Sequence, residues 1–482
     1  MASENPLTSK KVCVVGAGMA GLAAERELRR EGHAVTVMEQ RGDIGGQWLY
    51  DPRADAGDPL GAAAAPVKVH GSMYASVRLL GPREGMGFAD FQFLPRHGGG
   101  RDPRRFPGHR EVFCYLKDFC DAFGLMDAVR LNTRVVRVAM AAPPPPGGCS
   151  DVRWRVTSVR VEPEGGKEAA EAAAEEFDAV VVANGHYSQP RLPTIDGMEQ
   201  WRRRQLHSHS YRVPEPFRGE VVLLVGCGDS GLDLALDLCG VAKEVHLTAK
   251  SVEAAMTPAM SKMLANHAEL RLHPRVDRLC EDGRVVFADG GCVVADTIIY
   301  CTGYNYSFPF LDTGGVVTVD DNRVGPLFKH AFPPALAPSL SFVGIQRKVL
   351  APWFFQAQCR WIAQVLSGRT ALPPPEEMLR EVEEYHRARE IAGVPKNRSH
   401  DIGGVDPEET YEFVAKHTDL PAMEEWKREL MRSIIRNANE DRETFRDRDD
   451  DSDSVREGLR RWLCLSSAAQ DQADFVGAQS EP

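Results

Sequence analysis

A chain of 482 residues, 43% hydrophobic and 26% charged, has material for two or three domains with large cores. Its formal net charge of −11 excludes the basic footprint of a nucleic-acid binder and gives little attraction to anionic membranes. No apolar run approaches the roughly 20 residues of a transmembrane helix, and MASENPLTSK is not a secretory signal. In chain order, the β-branched run KVCVV meets the turn GAGMAG (Gly16 to Gly21), followed by an apolar-periodic helix with Leu22 and Leu28. A short alternating strand, AVTVME, ends at Glu39, and GDIGGQW follows, with Gly45 and Gly46 beside Trp48. Loops are expected at Ala54 to Pro66, at Arg101 to Gly108 and at the PPPPGG turn from Pro143. Trp154 and Val156 alternate like a strand, and the Glu/Ala-rich Glu162 to Glu176 is expected as an insertion between strands.

FDAVVVANG (Phe177 to Gly185) and ADTIIYCTGY (Ala295 to Tyr304) are apolar runs suited to buried parallel strands. Between them EVVLLV leads into GCGDSG (Gly226 to Gly231), a helix with Leu232, Leu234 and Leu238, and EVHLTAK. Gly226 stands 210 positions after Gly16, as Gly231 does after Gly21, Val245 after Val35 and Leu247 after Val37. Two βαβ starts therefore superimpose without a gap. Beyond Asn437 the chain turns highly charged, and a disordered acidic tail is expected, with a short helix near Trp462. Eleven cysteines, scattered and without a C-x-x-C pair, argue against a disulfide framework, a zinc site or a redox dithiol. Reduced thiols, no metal and a cytoplasmic location are the expectation.

A glycine turn between strand and helix allows a tight bend, close approach of a pyrophosphate and close helix–strand packing. The helix N-terminus then offers N–H groups and partial positive charge to the phosphates. Two such turns imply two dinucleotides. Glu39 at the first strand end can accept from ribose hydroxyls, which suits FAD. The matching place holds Ala249, with Lys250 beside it, which favours the 2′-phosphate of NADPH.

These motifs, with MGFADFQF, RDPRRFPGH, ANGHY (Ala183 to Tyr187), HSHSYR, CTGYNYSFPFLD and the segment Val319 to Gly344, resemble the flavin-containing monooxygenases. The likeness is strongest to the plant S-oxygenating branch associated with glucosinolate side chains, and runs from about Lys10 to about Arg432. It implies an α/β fold of two nested Rossmann-like domains, the FAD domain discontinuous around the NADPH domain. The expected units are 1–190 (FAD), 191–324 (NADPH), 325–436 (FAD, return segment) and 437–482 (tail), with CTGY turning the chain back toward the FAD domain. Implied FAD contacts are Gly16, Gly18, Met19, Ala20, Gly21, Glu39, Gln40, Gly46, Gln47 and Trp48. Implied NADPH contacts are Gly226, Gly228, Asp229, Ser230, Gly231, Lys250, Thr302 and Gly303.

The resemblance further implies that NADPH reduces FAD, that dioxygen adds at flavin C4a, and that the hydroperoxide passes one oxygen atom to a soft nucleophile, a thioether or an amine. No catalytic side chain stands out, as expected where the cofactor carries the chemistry. Partners are then a small-molecule nucleophile and O2, with no nucleic acid and no transmembrane segment; a homo-oligomer is compatible. Four residues depart from the pattern. Leu80 replaces a common asparagine, which motivates an uncoupled NADPH oxidase as an alternative. Lys250 stands where arginine is more usual. Trp201 and Arg203 replace a phenylalanine and a glycine, and nearby His207 is taken as a fold marker. An indole-3-pyruvate monooxygenase is a further alternative, disfavoured by GPLFKHAFPPALAPSL. The substrate pocket is expected near Trp353, Phe354 and Phe355.

Overall fold

The computed structural model describes residues 8–63, 70–142, 152–161, 168–402 and 408–464. The PPPPGG turn and the end of the chain lie outside them. Two parallel five-stranded sheets dominate. The first runs Leu340–Phe342, Ala179–Val182, Lys11–Val15, Ala34–Met38, Val129–Arg130. The second runs Arg204–His207, Thr297–Tyr300, Val221–Val225, Glu244–Ala249, Leu270–Pro274. Strand continuity makes the first unit discontinuous: its edge strand Leu340–Phe342 arrives after the whole second sheet has been completed.

The repeat seen in the sequence extends to register. Lys11 pairs with Ala34 and Val221 with Glu244; Val12 pairs with Ala179 and Val222 with Thr297. Each unit also carries an antiparallel meander before its third central strand. In the first unit it is Thr133–Met140, Trp154–Val161 and Glu168–Phe177; in the second it is Val276–Leu279, Arg284–Phe287 and Cys292–Val294. The Glu/Ala-rich segment is therefore not a loop between strands. From Glu168 it is a strand itself, because pairing along Trp154–Val161 overrides its weak β-propensity.

Successive side chains of a strand point to opposite faces. Val12 and Val14 enter a core under the helices Met19–Arg30, His109–Phe123 and Ala351–Ser367, whereas Cys13 and Val15 join Trp154 and Phe177 on the other face. Val222 and Leu224 divide from Leu223 and Val225 in the same way. Double-sided burial explains why these strands read as continuous apolar runs. The chain returns to the first unit earlier than position 325, since Leu311–Asp312 already pairs with Val138 and Ala139.

The acidic segment is the main departure from expectation. Through residue 464 it is folded: the helix Glu425–Glu440 is followed by the turn Phe445–Asp447 and by helical residues 453–464, which include Trp462. Phe445, Val455 and Trp462 are buried with Trp426, Leu430 and Met431, and Gly458 lets the last helix close onto the Trp426 ring. Its acids do not repel one another unopposed. Asp447 pairs with Arg78 and Asp451 with Arg105, at 2.9 and 2.7 Å. Composition signals disorder when charge is unmatched; here the rest of the chain supplies the counter-charges.

Candidate functional site

Both glycine turns open onto one cavity of about 1150 Å³, beyond the roughly 300–1000 Å³ of a single drug-sized ligand site. The backbone reasons for the glycines are visible. Gly16 and Gly226 adopt φ of +102° and +115°, and a Cβ on either would stand 2.7 or 2.6 Å from the carbonyl oxygen of Ala183 or Cys301. A Cβ on Gly21 or Gly231 would strike the Gly16 or Gly226 carbonyl oxygen at 1.8 or 2.0 Å. Gly21, Gly226 and Gly231 thus shape the turns without lining the cavity.

Gly16, Gly18, Met19, Ala20, Glu39, Gln40, Gly46, Gln47 and Trp48 all line it, as do Gly228, Asp229, Ser230, Lys250, Thr302 and Gly303. Glu39 is buried. Its Oε2 accepts from the Ala17 N–H at 2.8 Å and its Oε1 from the Arg41 N–H at 2.9 Å. Burial pushes its carboxyl up from the usual carboxylate range, and those two N–H groups oppose the shift. Each oxygen keeps a lone pair for a further donor. Gly45 and Gly46, at φ +110° and +55°, bring the GGQW loop onto the first turn, so that a Cβ on Gly46 would lie 2.9 Å from Gly18 Cα.

In the second unit Lys250 is exposed on the cavity wall. Thr302 and Gly303 sit at the crossing between units: the Thr302 hydroxyl donates to the Arg191 carbonyl, and the Gly303 carbonyl accepts from the Arg191 N–H at 2.9 Å. Leu80 lines the cavity at 39% exposure. Of the aromatic run only Phe355 reaches the wall, while Trp353 and Phe354 are core. His207 is buried, its Nδ1 accepting from the His209 N–H at 3.0 Å, and burial lowers it to about 3.

Sequence reasoning missed several cavity residues that no spacing announced. Arg134 and Val135 come from the meander, and Arg347, Asn397 and Asp401 from segments more than 300 residues beyond the first turn. His186 had a signal in ANGHY. Its Nδ1–H donates to the Gly344 carbonyl at 2.7 Å, burial lowers its pKa to about 4, and its buried Nε2 has no hydrogen-bond partner among the described residues. Away from the cavity, the fold brings ligand-type atoms of Cys239, His267 and Glu269 within 4.8 Å of one another, a grouping no linear motif foretold.

Two glycine-turn units facing a shared cavity define an α/β protein of the dinucleotide-binding class. The profile of the flavin-binding monooxygenase-like family matches residues 9–267 and 259–423, and the chain belongs to that family. It is 52% identical over 452 residues to the flavin-containing monooxygenase FMO GS-OX-like 8 of Arabidopsis thaliana, covering 94% of this chain and 95% of that one. Identity to FMO GS-OX-like 9 of the same plant is 50%, over 94% and 95% of the two chains. The solved structure of S-allyl-L-cysteine S-oxygenase from Allium sativum superposes with a TM-score of 0.84 at 41% identity, covering 95% of this chain and all of that one. The protein is a flavin monooxygenase that acts on a small molecule and O2. Among the described residues no helix is long and apolar enough to cross a membrane.

Proposed function

We propose that this enzyme takes two electrons from NADPH and one atom of dioxygen to oxidise the sulfur of a small thioether. NADPH, a proton, O2 and the thioether become NADP⁺, water and the sulfoxide. When bound, FAD supplies the redox chemistry that joins hydride donor to dioxygen. The observation that carries the reading is the single cavity onto which both helix N-termini open.

The residues fit those groups. The N-terminus of Met19–Arg30 with Gly16 and Gly18 would hold the FAD diphosphate, and Glu39 would accept from its ribose. Met19, Ala20, Gln40, Gly46, Gln47 and Trp48 would complete that site, and Gly21 would support it through packing. Gly228, Asp229 and Ser230 would receive NADPH, with Lys250 on its 2′-phosphate and Thr302 and Gly303 beside the crossing; Gly226 and Gly231 shape that turn. With both cofactors bound, apolar wall residues such as Met86, Val349 and Phe355 would help keep water from the reacting centre. The proposed units are an FAD part over 1–190, an NADPH part from 191, a return to the FAD part near 304–312 and a C-terminal segment that, through residue 464, packs against the helix Glu425–Glu440. A cytoplasmic location accords with the ten thiols among the described residues, all free.

A second reading, an NADPH oxidase releasing peroxide, draws on the apolar Leu80 in the cavity wall. One assay separates the two: NADPH consumed, peroxide released and sulfoxide formed with S-allyl-L-cysteine and with an unfunctionalised dialkyl sulfide. Sulfoxide matching most of the NADPH supports oxygen transfer. Peroxide accounting for all of it, with no sulfoxide from either compound, overturns it in favour of the oxidase. Preferential turnover of indole-3-pyruvate would instead support that third activity.

A further inference from the structure

The two repeated helices differ at matched places. Asp229 and Asp233 stand on the second where Met19 and Ala23 stand on the first. Asp229 is the first residue of the helix Asp229–Leu238, and both acids line the cavity. A diphosphate seated at that N-terminus would meet a favourable helix dipole and an unfavourable carboxylate. Two arginines from the far end of the chain answer those acids. Arg442 Nη2 donates to Asp229 Oδ1 and Asp233 Oδ1, both at 3.1 Å, from a side chain only 8% exposed. Arg446 Nη2 donates to Asp233 Oδ2 at 3.3 Å, and its Nε to the Leu79 carbonyl at 3.0 Å.

We propose that Arg442 is a positioning residue of the second dinucleotide site. By holding and neutralising Asp229, it lets the helix N-terminus accept the diphosphate of a nicotinamide dinucleotide. Arg442 does not itself line the cavity; it acts through Asp229, whose side chain is 68% exposed. The segment that carries it is thereby part of the cofactor machinery rather than an appendage. The inference rests on the reading of this site as the NADPH site.

The test uses the full-length, FAD-loaded enzyme, with NADP⁺ titrated by calorimetry and anaerobic flavin reduction by NADPH followed in a stopped-flow instrument. Arg442→Gln should weaken NADP⁺ binding about tenfold, the effect of one newly unopposed charge near a diphosphate. Flavin content and the limiting reduction rate should stay near wild type. Arg442→Lys should recover most of the affinity, and Asp229→Asn in the Arg442→Gln background should recover it by removing the repulsion. A purely structural role would lower Tm and flavin content, and loss of an exposed carboxylate would not repair it. Wild-type affinity in Arg442→Gln, or a double variant no tighter than Arg442→Gln, overturns the inference. Should Arg442→Gln not fold, Asp229→Asn alone decides: tighter NADP⁺ binding supports the inference and unchanged or weaker binding overturns it. A wild-type enzyme that neither binds NADP⁺ nor is reduced by NADPH removes the NADPH reading itself, and the inference with it.

Discussion

The two glycine turns share a backbone and differ in what lies over them. Over the first, the GGQW loop presses Gly46 against Gly18, and Glu39 is buried with both oxygens held by backbone N–H groups. Over the second, nothing among the described residues stands within 4 Å of a Cβ built on Gly228, and Lys250 is exposed. A covered site suits a ligand kept through every turnover. An open one suits a ligand that must enter and leave each cycle. The repeat alone does not separate them; the loop folded back over the first turn does.

The largest expected effect would break the equivalence of the two copies. Gly21→Ala and Gly231→Ala each drive a Cβ to within 1.8 or 2.0 Å of a carbonyl oxygen, so both should lose more than about 4 kcal/mol of stability. Soluble, cooperative unfolding of one variant but not the other would show that the copies are not held alike. Next, Gly46→Ala meets Gly18 Cα at 2.9 Å with φ at +55° and should leave purified protein largely free of flavin, measured by absorbance. The comparable Gly228→Ala should keep its flavin and Tm and raise KM for NADPH about tenfold, because its Cβ enters space a diphosphate needs. Loss of flavin from Gly228→Ala would contradict the division of sites.

Lys250→Ala tests the open site more gently. KM for NADPH should rise about tenfold, the loss of roughly one charge-assisted contact, while KM for NADH stays unchanged. Lys250→Arg should sharpen the preference for NADPH, since a guanidinium offers a bidentate fork. Equal losses with both nucleotides would sink the assignment.

The smallest effect concerns the helices. Glu25 in the first is fully buried where the second has Ala235, and burial lifts its carboxyl to about 8. A raised carboxyl favours the fold while protonated, and that advantage is lost as pH rises from the unfolded value near 4.5 through about 8. Glu25→Gln should therefore raise Tm by about 2–4 °C at pH 8.5 and leave it unchanged at pH 4. A gain of equal size at both pH values would deny the buried charge.

Much of this was legible in the chain because its causes are local. Gly16 and Gly226 announce themselves through the positive φ of a strand-to-helix turn, and Lys11–Val15 through double-sided burial. Register across 210 residues followed from the same strand and helix lengths being spelled twice. The short helix near Trp462 is present, but the expected disorder between Asn437 and residue 464 fails for an equally physical reason. Asp447 and Asp451 look repulsive in sequence, and only the fold brings Arg78 and Arg105 to them. Arg134, Arg347 and Asp401 were invisible as cavity residues because no spacing rule reaches across separate segments.

By itself, then, the sequence determined that there are two dinucleotide-type turns, which strand end carries an acid and which a lysine, and which family the pattern resembles. These depend on φ, on side-chain alternation and on residue identity, all read within about 30 positions. Only the tertiary structure decided that one turn is covered and the other open. It also decided that Thr302 is tied to Arg191, and that Arg442 reaches back 213 residues to Asp229. The first is a loop folding back onto a turn 28 residues earlier, and the other two are contacts between distant segments; all are chosen by packing and by charges finding partners in space.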